Sequence, residues 1–507
     1  MVVIFAVFVT SGLRGVDFGY HWDEGGAQIT PVQEMVSTGF LFPHASGYPG
    51  LSKWVTLMPA VPAGIKAAIE KKGDPHLVQA AMLAVVNAPG FLLTVRRLYI
   101  VFSALTIVWV WAAALALRRS GWEAAVAAAC IGLSWEFSYH SRFVAVDCLL
   151  VQFSAMTLFM LALYFREQRP LWLFFAAGAA GFATGAKYQG VILVLTVLLA
   201  GVLTLPARRV RDQVIRLAAL SAVAVATFLL STPETVIQPF ANWEELVRIA
   251  RYYETGHWGY TVSGPRQHLW LVLLYFSLSY FSPYMAVALV LFASAIVGAV
   301  FWVRSDHRLG AVLVFFPITF LLVFCFKYRV MIVRNYQLIG PFLALFAARG
   351  LFEIGGRLPG RWLRWSLAGA VGVAFVAGGV WLVAAGESIR HADHKDEVRQ
   401  AIDYVGKHPG TRFRLSPQVT AIARQQHLAL PPNALVAGSA DEVVFFAEAE
   451  APDPFHWKAN DPWLTKAVFG PREINFAWCS TWQGPDRVIV MTTAKAKAAA
   501  AGISFIK

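Results

Sequence analysis

Residues 98–117 read LYIVFSALTIVWVWAAALAL, a run of twenty residues without a charged side chain. A helix of about 20 apolar residues is long enough to cross the hydrocarbon core of a bilayer. Similar runs recur up to about residue 385, and 57% of the 507 residues are hydrophobic while only 14% are charged. Because these proportions lie outside the usual range for soluble domains, they predict an integral membrane protein.

The apolar runs predict an all-α polytopic membrane domain with about eleven transmembrane helices. The run at 269–303 is long enough to include a segment at the membrane interface. The predicted helices cover residues 2–13, 98–117, 123–139, 148–165, 171–184, 188–205, 217–231, 269–303, 310–326, 336–348 and 365–385. We therefore predict a membrane domain over residues 1–386, with a first outer loop at 16–97, and a separate C-terminal domain over residues 387–507.

The C-terminal region has the pattern of a small α/β domain. DEVRQAIDYVGKH at 396–408 has helical periodicity, whereas RFRLS at 412–416, DEVVFFAE at 441–448 and DRVIVMTT at 486–493 are typical of short strands. Tryptophans in this region could stack on sugar rings or fill the core of the domain. They are Trp457, Trp463, Trp478 and Trp482.

Basic side chains mark alternate loops of the membrane domain. Arginines occur at 118–119, 166–169, 208–216, 304–308 and 357–364, and the positive-inside rule assigns these loops to the cytoplasm. The remaining loops and the C-terminal domain then lie on the extracytoplasmic side, and we expect a bacterial inner membrane. The net charge of +13 reflects this topology and contact with anionic lipids, so we expect no binding to nucleic acid. Four cysteines are too few for a disulfide framework.

Charged residues gather at the predicted outer ends of the helices. Such groups are costly at membrane depth unless they pair or line a wet cavity, so the gathering is a candidate functional site. Two structural alternatives stay open: the basic residues could extend to lipid headgroups, and Asp23 could cap a helix that lies along the surface. The charged residues are Asp23, Glu24, Glu136, Arg142, Asp147, Lys187, His257, Lys327, Arg329 and Arg334.

A lipid-linked phosphosugar fits one or two acids and several cations at the lipid boundary. Its long chain can stay in the bilayer while Arg and Lys bind the phosphate. Transfer of the sugar needs cations to stabilise the leaving group and one base for the acceptor. Asp23 and Glu24 are adjacent and diverge in direction, so only one can reach the acceptor. A hydrolase would need two carboxylates from separate positions, about 5–10 Å apart.

Seven motifs together resemble the superfamily of protein O-mannosyltransferases and aminoarabinose transferases. The resemblance covers most of the membrane domain, to about residue 350, and implies the GT-C fold and a polyprenyl-phosphate sugar donor. The sequence departs from many relatives at YPG (48–50), where they carry a Pro-Pro pair. The motifs are HWDEGGAQ (21–28), HASGYPGLSKWV (44–55), HSRFVAVDCLL (140–150), GFATGAKYQG (181–190), TPETVIQPF (232–240), ETGHWGY (254–260) and VRNYQLIGPFLALFAARG (333–350).

The resemblance implies that two catalytic residues lie in the first outer loop. Asp23 would be the base that accepts the proton of the acceptor hydroxyl or amine, and Glu24 would shape the acceptor or donor pocket. The acceptor could be a protein, a lipid or a glycan. A single displacement opposite the phosphate would invert the anomeric configuration.

The resemblance also implies a set of substrate-binding residues. Arg142 would contact the donor phosphate with Asp147 as its orienting partner. Lys187 and Arg334 would be further phosphate ligands, and His257 would help to bind the donor. Together these cations would hold the departing polyprenyl phosphate.

We expect neither a metal nor a cofactor. His391 and His394, beside Asp393 and Asp396, have ligand-like spacing, but such a group in a polar segment is usually solvated. There is no Rossmann glycine fingerprint and no P-loop in the sequence.

Two other function classes remain open. One is a polytopic transporter or flippase for a lipid-linked or anionic substrate, and the other is a sensor or assembly subunit that keeps the fold without activity.

Overall fold

The computed structural model describes residues 1–17, 24–40, 42, 47–204, 210–256, 261–391, 397–425, 428–446, 465–469, 474–475, 481–482 and 488–492. These residues form two compact units. The first contains residues 1–16 and 26–387, and the second contains residues 17, 24–25 and the described residues from 388 onward.

The first unit is built from helices. Short 3-10 or π-helical segments lie between several of them, at Gly25–Ile29, Met58–Ala60, Tyr188–Gly190, Phe276–Tyr280 and Val333–Ile339. The α-helices are α1 (Val2–Leu13), α2 (Thr30–Ser37), α3 (Leu51–Leu57), α4 (Val61–Glu70), α5 (Pro75–Val86), α6 (Phe91–Arg118), α7 (Gly121–Gly132), α8 (Trp135–His140), α9 (Val146–Glu167), α10 (Pro170–Ala186), α11 (Val191–Thr204), α12 (Val210–Ser231), α13 (Glu234–Ile237), α14 (Pro239–Thr255), α15 (Pro265–Tyr275), α16 (Met285–Ser305), α17 (His307–Lys327), α18 (Gly340–Arg357) and α19 (Arg361–His391).

Seven helices among the described residues are long and apolar enough to cross a membrane. Shorter apolar helices accompany them at Val2–Leu13, Pro75–Val86, Gly121–Gly132, Pro170–Ala186 and Tyr188–Thr204. The prediction of an integral membrane protein with several spans is confirmed. The described residues contain seven full-length spans rather than about eleven, because several predicted runs are shorter than a bilayer requires. The long helices are Phe91–Arg118, Val146–Glu167, Val210–Ser231, Met285–Ser305, His307–Lys327, Val333–Arg357 and Arg361–Glu387.

Two of the predicted spans are interrupted. The run at 123–139 divides into α7 and α8, because the Ser134 hydroxyl accepts the Phe137 N–H at 3.2 Å and starts a new helix. The run at 269–303 divides into α15, a π-helical turn and α16. Pro283 precedes α16 and has no N–H with which to continue the helix.

The helix α9 lies at the centre of the first unit. It packs against α6 and α10. Of its most apolar stretch, 72% is buried, compared with 17% for the corresponding stretch of α12. Glycines allow close approach elsewhere: an added Cβ on Gly298 of α16 would collide with the Phe346 carbonyl oxygen of α18. Because α9 is buried, its first residues are held in a fixed position among the surrounding helices.

The second unit contains a mixed sheet. Its strands are β1 (Phe413–Leu415), β2 (Ala434–Leu435), β3 (Glu442–Phe446), β4 (Thr465–Phe469) and β7 (Val488–Thr492), in the order β2-β1-β3-β7-β4, with a separate hairpin of β5 (Ile474–Asn475) and β6 (Thr481–Trp482). β1 is parallel to β2 and β3, whereas β7 is antiparallel to β3 and β4. The helices α20 (Glu397–Gly406) and α21 (Pro417–Gln425) supply core residues. β1, β3, β7 and α20 coincide with the elements predicted from the sequence.

Candidate functional site

Three charged side chains from distant segments meet at one buried point. Asp147 is the second residue of α9, Lys187 follows the end of α10, and Arg334 lies in the 3-10 segment Val333–Ile339. The Lys187 Nζ donates to Asp147 Oδ1 at 2.8 Å, and the Arg334 Nε lies 3.5 Å from Asp147 Oδ2. Only 7% of Lys187, 4% of Asp147 and 12% of Arg334 is exposed. Solvent therefore screens this group of charges little.

Neutral side chains extend the cluster on one side. The Lys187 Nζ also donates to Asn335 Oδ1 at 2.6 Å, and the Asn335 amide nitrogen donates to the Tyr253 hydroxyl at 3.4 Å. The Tyr48 ring centroid lies 5.9 Å from the Lys187 Nζ, within the range of a cation–π interaction. The ammonium is thus fixed by three elements that are remote in the chain.

The cluster retains capacity to bind an anion. An ammonium has three N–H donors, and within the described part of the chain Lys187 uses two of them, on Asp147 and Asn335. Asp147, Lys187 and Arg334 together carry one formal positive charge. A phosphate oxygen could accept the third N–H of Lys187 in a charge-assisted hydrogen bond.

Arg142 is held elsewhere, between α1 and α8. One terminal nitrogen donates to the Ser138 carbonyl at 2.9 Å, and the other donates to the Ser11 carbonyl at 2.8 Å. The guanidinium lies 5.3 Å from the Trp135 ring centroid and is completely buried. Burial lowers the pKa of Arg142 to about 9, and nearby Tyr139 raises it slightly. These contacts fix α1 against α8, and a role for Arg142 in phosphate binding stays a prediction.

Lys53 and Glu234 form a second buried pair. Each lies in one of the quoted motifs, but no sequence pattern assigned either residue a role. The Lys53 Nζ donates to the Tyr48 carbonyl at 2.9 Å. Burial lowers the pKa of Lys53 to about 8, opposed by the charges of Glu234 and Glu245. Burial also raises the pKa of Glu234 to about 7, opposed by Lys53. An added Cβ on Gly50 would lie 2.7 Å from Glu234 Oε2, so the loop before α3 packs directly on this carboxylate.

The other charged side chains predicted at the outer helix ends have partners outside this cluster. Glu136 is buried on α8, with Oε2 3.7 Å from His140 Nε2. The Lys327 Nζ lies 3.4 Å from Glu254 Oε1, and the Arg329 Nε donates to the Val262 carbonyl at 3.3 Å.

The structure describes only one of the two residues predicted to be catalytic. Asp23 and His257 lie outside the described residues. Glu24 is fully buried and belongs to the second unit, whereas Asp147, Lys187 and Arg334 belong to the first. Within the described ranges, no group of three or more His, Cys, Asp or Glu side chains is arranged to hold a metal ion.

One family of known proteins matches part of the chain. Residues 76–231 match the family model described as dolichyl-phosphate-mannose-protein mannosyltransferase. Over these residues, the match agrees with the resemblance predicted from the sequence. No curated protein sequence matches the chain.

Solved structures similar to this chain include proteins of two organisms. ArnT from Cupriavidus metallidurans in the apo state is 15% identical, with 97% of each chain covered and a TM-score of 0.47. The structure of that protein bound to undecaprenyl phosphate has a TM-score of 0.46, 15% identity, and coverage of 97% of this chain and 96% of that one. The Archaeoglobus fulgidus oligosaccharyltransferase, in complex with Zn and sulfate, is 12% identical at a TM-score of 0.47. This comparison covers 85% of the present chain but only 62% of that protein.

Proposed function

We propose that this chain, a membrane glycosyltransferase of the family matched by residues 76–231, transfers a sugar from a polyprenyl-phosphate donor to a protein, lipid or glycan acceptor. The reaction takes place on the extracytoplasmic face of a bacterial inner membrane, in a membrane domain with the GT-C fold. The observation that carries the proposal is the convergence of Lys187 and Arg334 on Asp147 at the ends of apolar helices.

The location of the cluster suits a donor that is anchored in lipid. Asp147 begins the span Val146–Glu167, and Arg334 begins the span Val333–Arg357. A polyprenyl chain can remain among the spans while its phosphate reaches the Lys187 ammonium and the Arg334 guanidinium. Arg favours bidentate contacts with phosphate, whereas Lys provides a compact point charge. Asp147 and Asn335 hold the Lys187 Nζ in place for this contact.

The reaction is a single displacement at the anomeric carbon. Asp23 accepts the proton of the acceptor hydroxyl or amine, and the freed electron pair forms the new bond to the anomeric carbon. The bond from that carbon to the phosphate oxygen breaks, and its electron pair leaves with the polyprenyl phosphate. Lys187 and Arg334 stabilise the negative charge that develops on the leaving group. Attack opposite the phosphate inverts the anomeric configuration, and Glu24 shapes the pocket.

The proposal is tested with purified protein in liposomes and a panel of polyprenyl-phosphate sugars. Wild-type protein is compared with Asp23→Asn, Lys187→Met and the exposed control Lys71→Met. We expect Asp23→Asn to abolish transfer while undecaprenyl phosphate still binds. We expect Lys187→Met to weaken that binding by about 10- to 100-fold, the value of one hydrogen bond to a charged group. Lys71→Met should match the wild type.

Two results would contradict the proposal. Full transfer by Asp23→Asn would remove the assigned base, and unchanged binding of undecaprenyl phosphate by a folded Lys187→Met protein would remove the phosphate ligand. Transport of a solute across the liposome membrane without sugar transfer would support the transporter hypothesis instead. Circular dichroism and Tm establish that each variant is folded.

A further inference from the structure

The helix α14 exposes an aromatic face outside the membrane-crossing helices. Phe240 is 84% exposed, Trp243 is 64% exposed and Val247 is 37% exposed. Their spacing of i, i+3 and i+7 places them on one side of the helix. The preceding short helix α13 adds Val236, which is 63% exposed. An apolar surface of this kind in contact with water is costly.

The opposite side of α14 packs on the candidate site. The Tyr188 hydroxyl donates to Asn242 Oδ1 at 3.1 Å, and the Tyr253 hydroxyl accepts from Asn335 at 3.4 Å. Asn242 and Tyr253 are eleven residues apart, which is about three helical turns, so they lie on the same side. This side is about 150° around the helix from Phe240 and about 90° from Trp243. The helix therefore has one side that hydrogen-bonds to the protein and, among the described residues, an aromatic face that is largely exposed.

The neighbours of α14 indicate where the helix lies relative to the membrane-crossing helices. The span Val210–Ser231 ends eight residues before Pro239. The residues in contact with the protein-facing side of α14 also lie at helix ends. Tyr188 begins the apolar helix Tyr188–Thr204, and Asn335 lies near the start of the span Val333–Arg357. The helix thus contacts residues at the ends of apolar helices, where hydrocarbon would meet water. Aromatic side chains concentrate at this level in membrane proteins.

We propose that α14 is an interfacial helix whose Phe240, Trp243 and Val247 insert into the headgroup–acyl boundary of a phospholipid bilayer. Amphipathic helices of this type bury their apolar face about 5–10 Å into that boundary. The exposed Arg251 lies next to the aromatic face and can contact lipid phosphates. Since the inner face of α14 contacts Asn335, the helix links the membrane surface to the Lys187 cluster.

Depth-dependent fluorescence quenching tests the proposal. Trp243→Cys and the matched control Ala241→Cys, which is exposed on another side of α14, are prepared in a variant without the four native cysteines and labelled with a polarity-sensitive dye. Each is placed in nanodiscs that hold one protein copy in phosphatidylethanolamine and phosphatidylglycerol. We expect lipids with a nitroxide near the top of the acyl chain to quench the label at 243 more strongly than the label at 241. Aqueous iodide should give the opposite order.

A second measurement uses the native chain. A photoactivatable phosphatidylethanolamine should attach to the peptide that contains residues 240–247, as detected by mass spectrometry. Stronger iodide quenching at 243 than at 241, together with the absence of lipid adducts on that peptide, would overturn the proposal. So would energy transfer between labels at 243 that increases with the ratio of protein to lipid in liposomes, because it would assign this face to contact between two copies.

Discussion

Replacing Glu234 with Gln should stabilise the protein at neutral and alkaline pH. The carboxylate is 1% exposed, and burial raises its pKa from 4.5 to about 7 in spite of the attraction of Lys53. One pKa unit corresponds to about 1.4 kcal/mol, so ionising this carboxylate in the folded protein costs about 3 kcal/mol more than in the unfolded chain. Gln has nearly the same shape as a protonated Glu and avoids that cost.

The sign of the effect follows from linkage between protonation and folding. The pKa of Glu234 is higher in the folded state, so its contribution to stability is complete below pH 4.5 and is lost as the pH rises through about 7. Wild-type protein and Glu234→Gln should therefore be similarly stable at pH 4.5. Above pH 7 the variant should be more stable by about 3 kcal/mol.

The assay is Tm in detergent, measured from pH 4.5 to 8.5, and Glu245→Gln is the matched control. Hydrogen bonding from Arg248 lowers the pKa of Glu245, so this carboxylate stabilises the fold above its ordinary pKa and loses that effect as the pH falls. The control should thus be less stable than wild type from pH 8.5 down to about 4.5, since the stabilisation is lost only as the pH falls through the lowered pKa of Glu245 in the folded protein. A Tm difference between wild type and Glu234→Gln that is the same at both ends of the range would refute the reasoning, as would a less stable variant at pH 8.5.

Three further predictions concern the same loop, the charged cluster and Arg142; each is measured by Tm, and the last also by binding affinity. Gly50→Ala places a Cβ 2.7 Å from a carboxylate oxygen and should cost about 1–3 kcal/mol, whereas Gly90→Ala, whose Cβ meets nothing within 4 Å, should not. Asp147→Asn leaves buried cations without their carboxylate and should cost about 3–5 kcal/mol, with partial recovery on adding Lys187→Met. Arg142→Gln should lower Tm yet leave the affinity for undecaprenyl phosphate unchanged; a loss of affinity at unchanged Tm would support a phosphate contact instead.

The sequence predicted where apolar helices occur better than where they end. Hydropathy over a long window responds to composition, and it identified the runs that became α6, α9 and α17. The breaks depend on single side chains. Ser134 starts α8 by accepting one backbone N–H, and Pro283 precedes α16. Neither changes the mean hydropathy of its run, so the runs at 123–139 and 269–303 were each predicted as one helix.

The sequence predicted the candidate site in part as well. Charge and position at helix ends selected ten residues, and the family resemblance gave Asp147, Lys187 and Arg334 substrate-binding roles; the structure brings these three together. Arg142 satisfied the same criteria, and its predicted phosphate contact stays a prediction. Its side chain contacts Ser11 of α1, and no sequence pattern reports a side-chain direction between distant helices. Asn335 was quoted in its motif without a role because it is neutral, although its carbonyl oxygen accepts from Lys187.

The carboxylate of Asp147 explains how two cations can share a buried site before any substrate arrives. Two unit charges about 6 Å apart repel by about 3 kcal/mol at an effective dielectric constant of about 20, which is a large part of the stability of a typical domain. Asp147 contacts both Lys187 and Arg334 and offsets this repulsion. It neutralises only one of the two charges, so the cluster can form without a ligand and still attract an anion. A second carboxylate in contact with Lys187 would remove that attraction, whereas the neutral Asn335 orients the ammonium without adding negative charge.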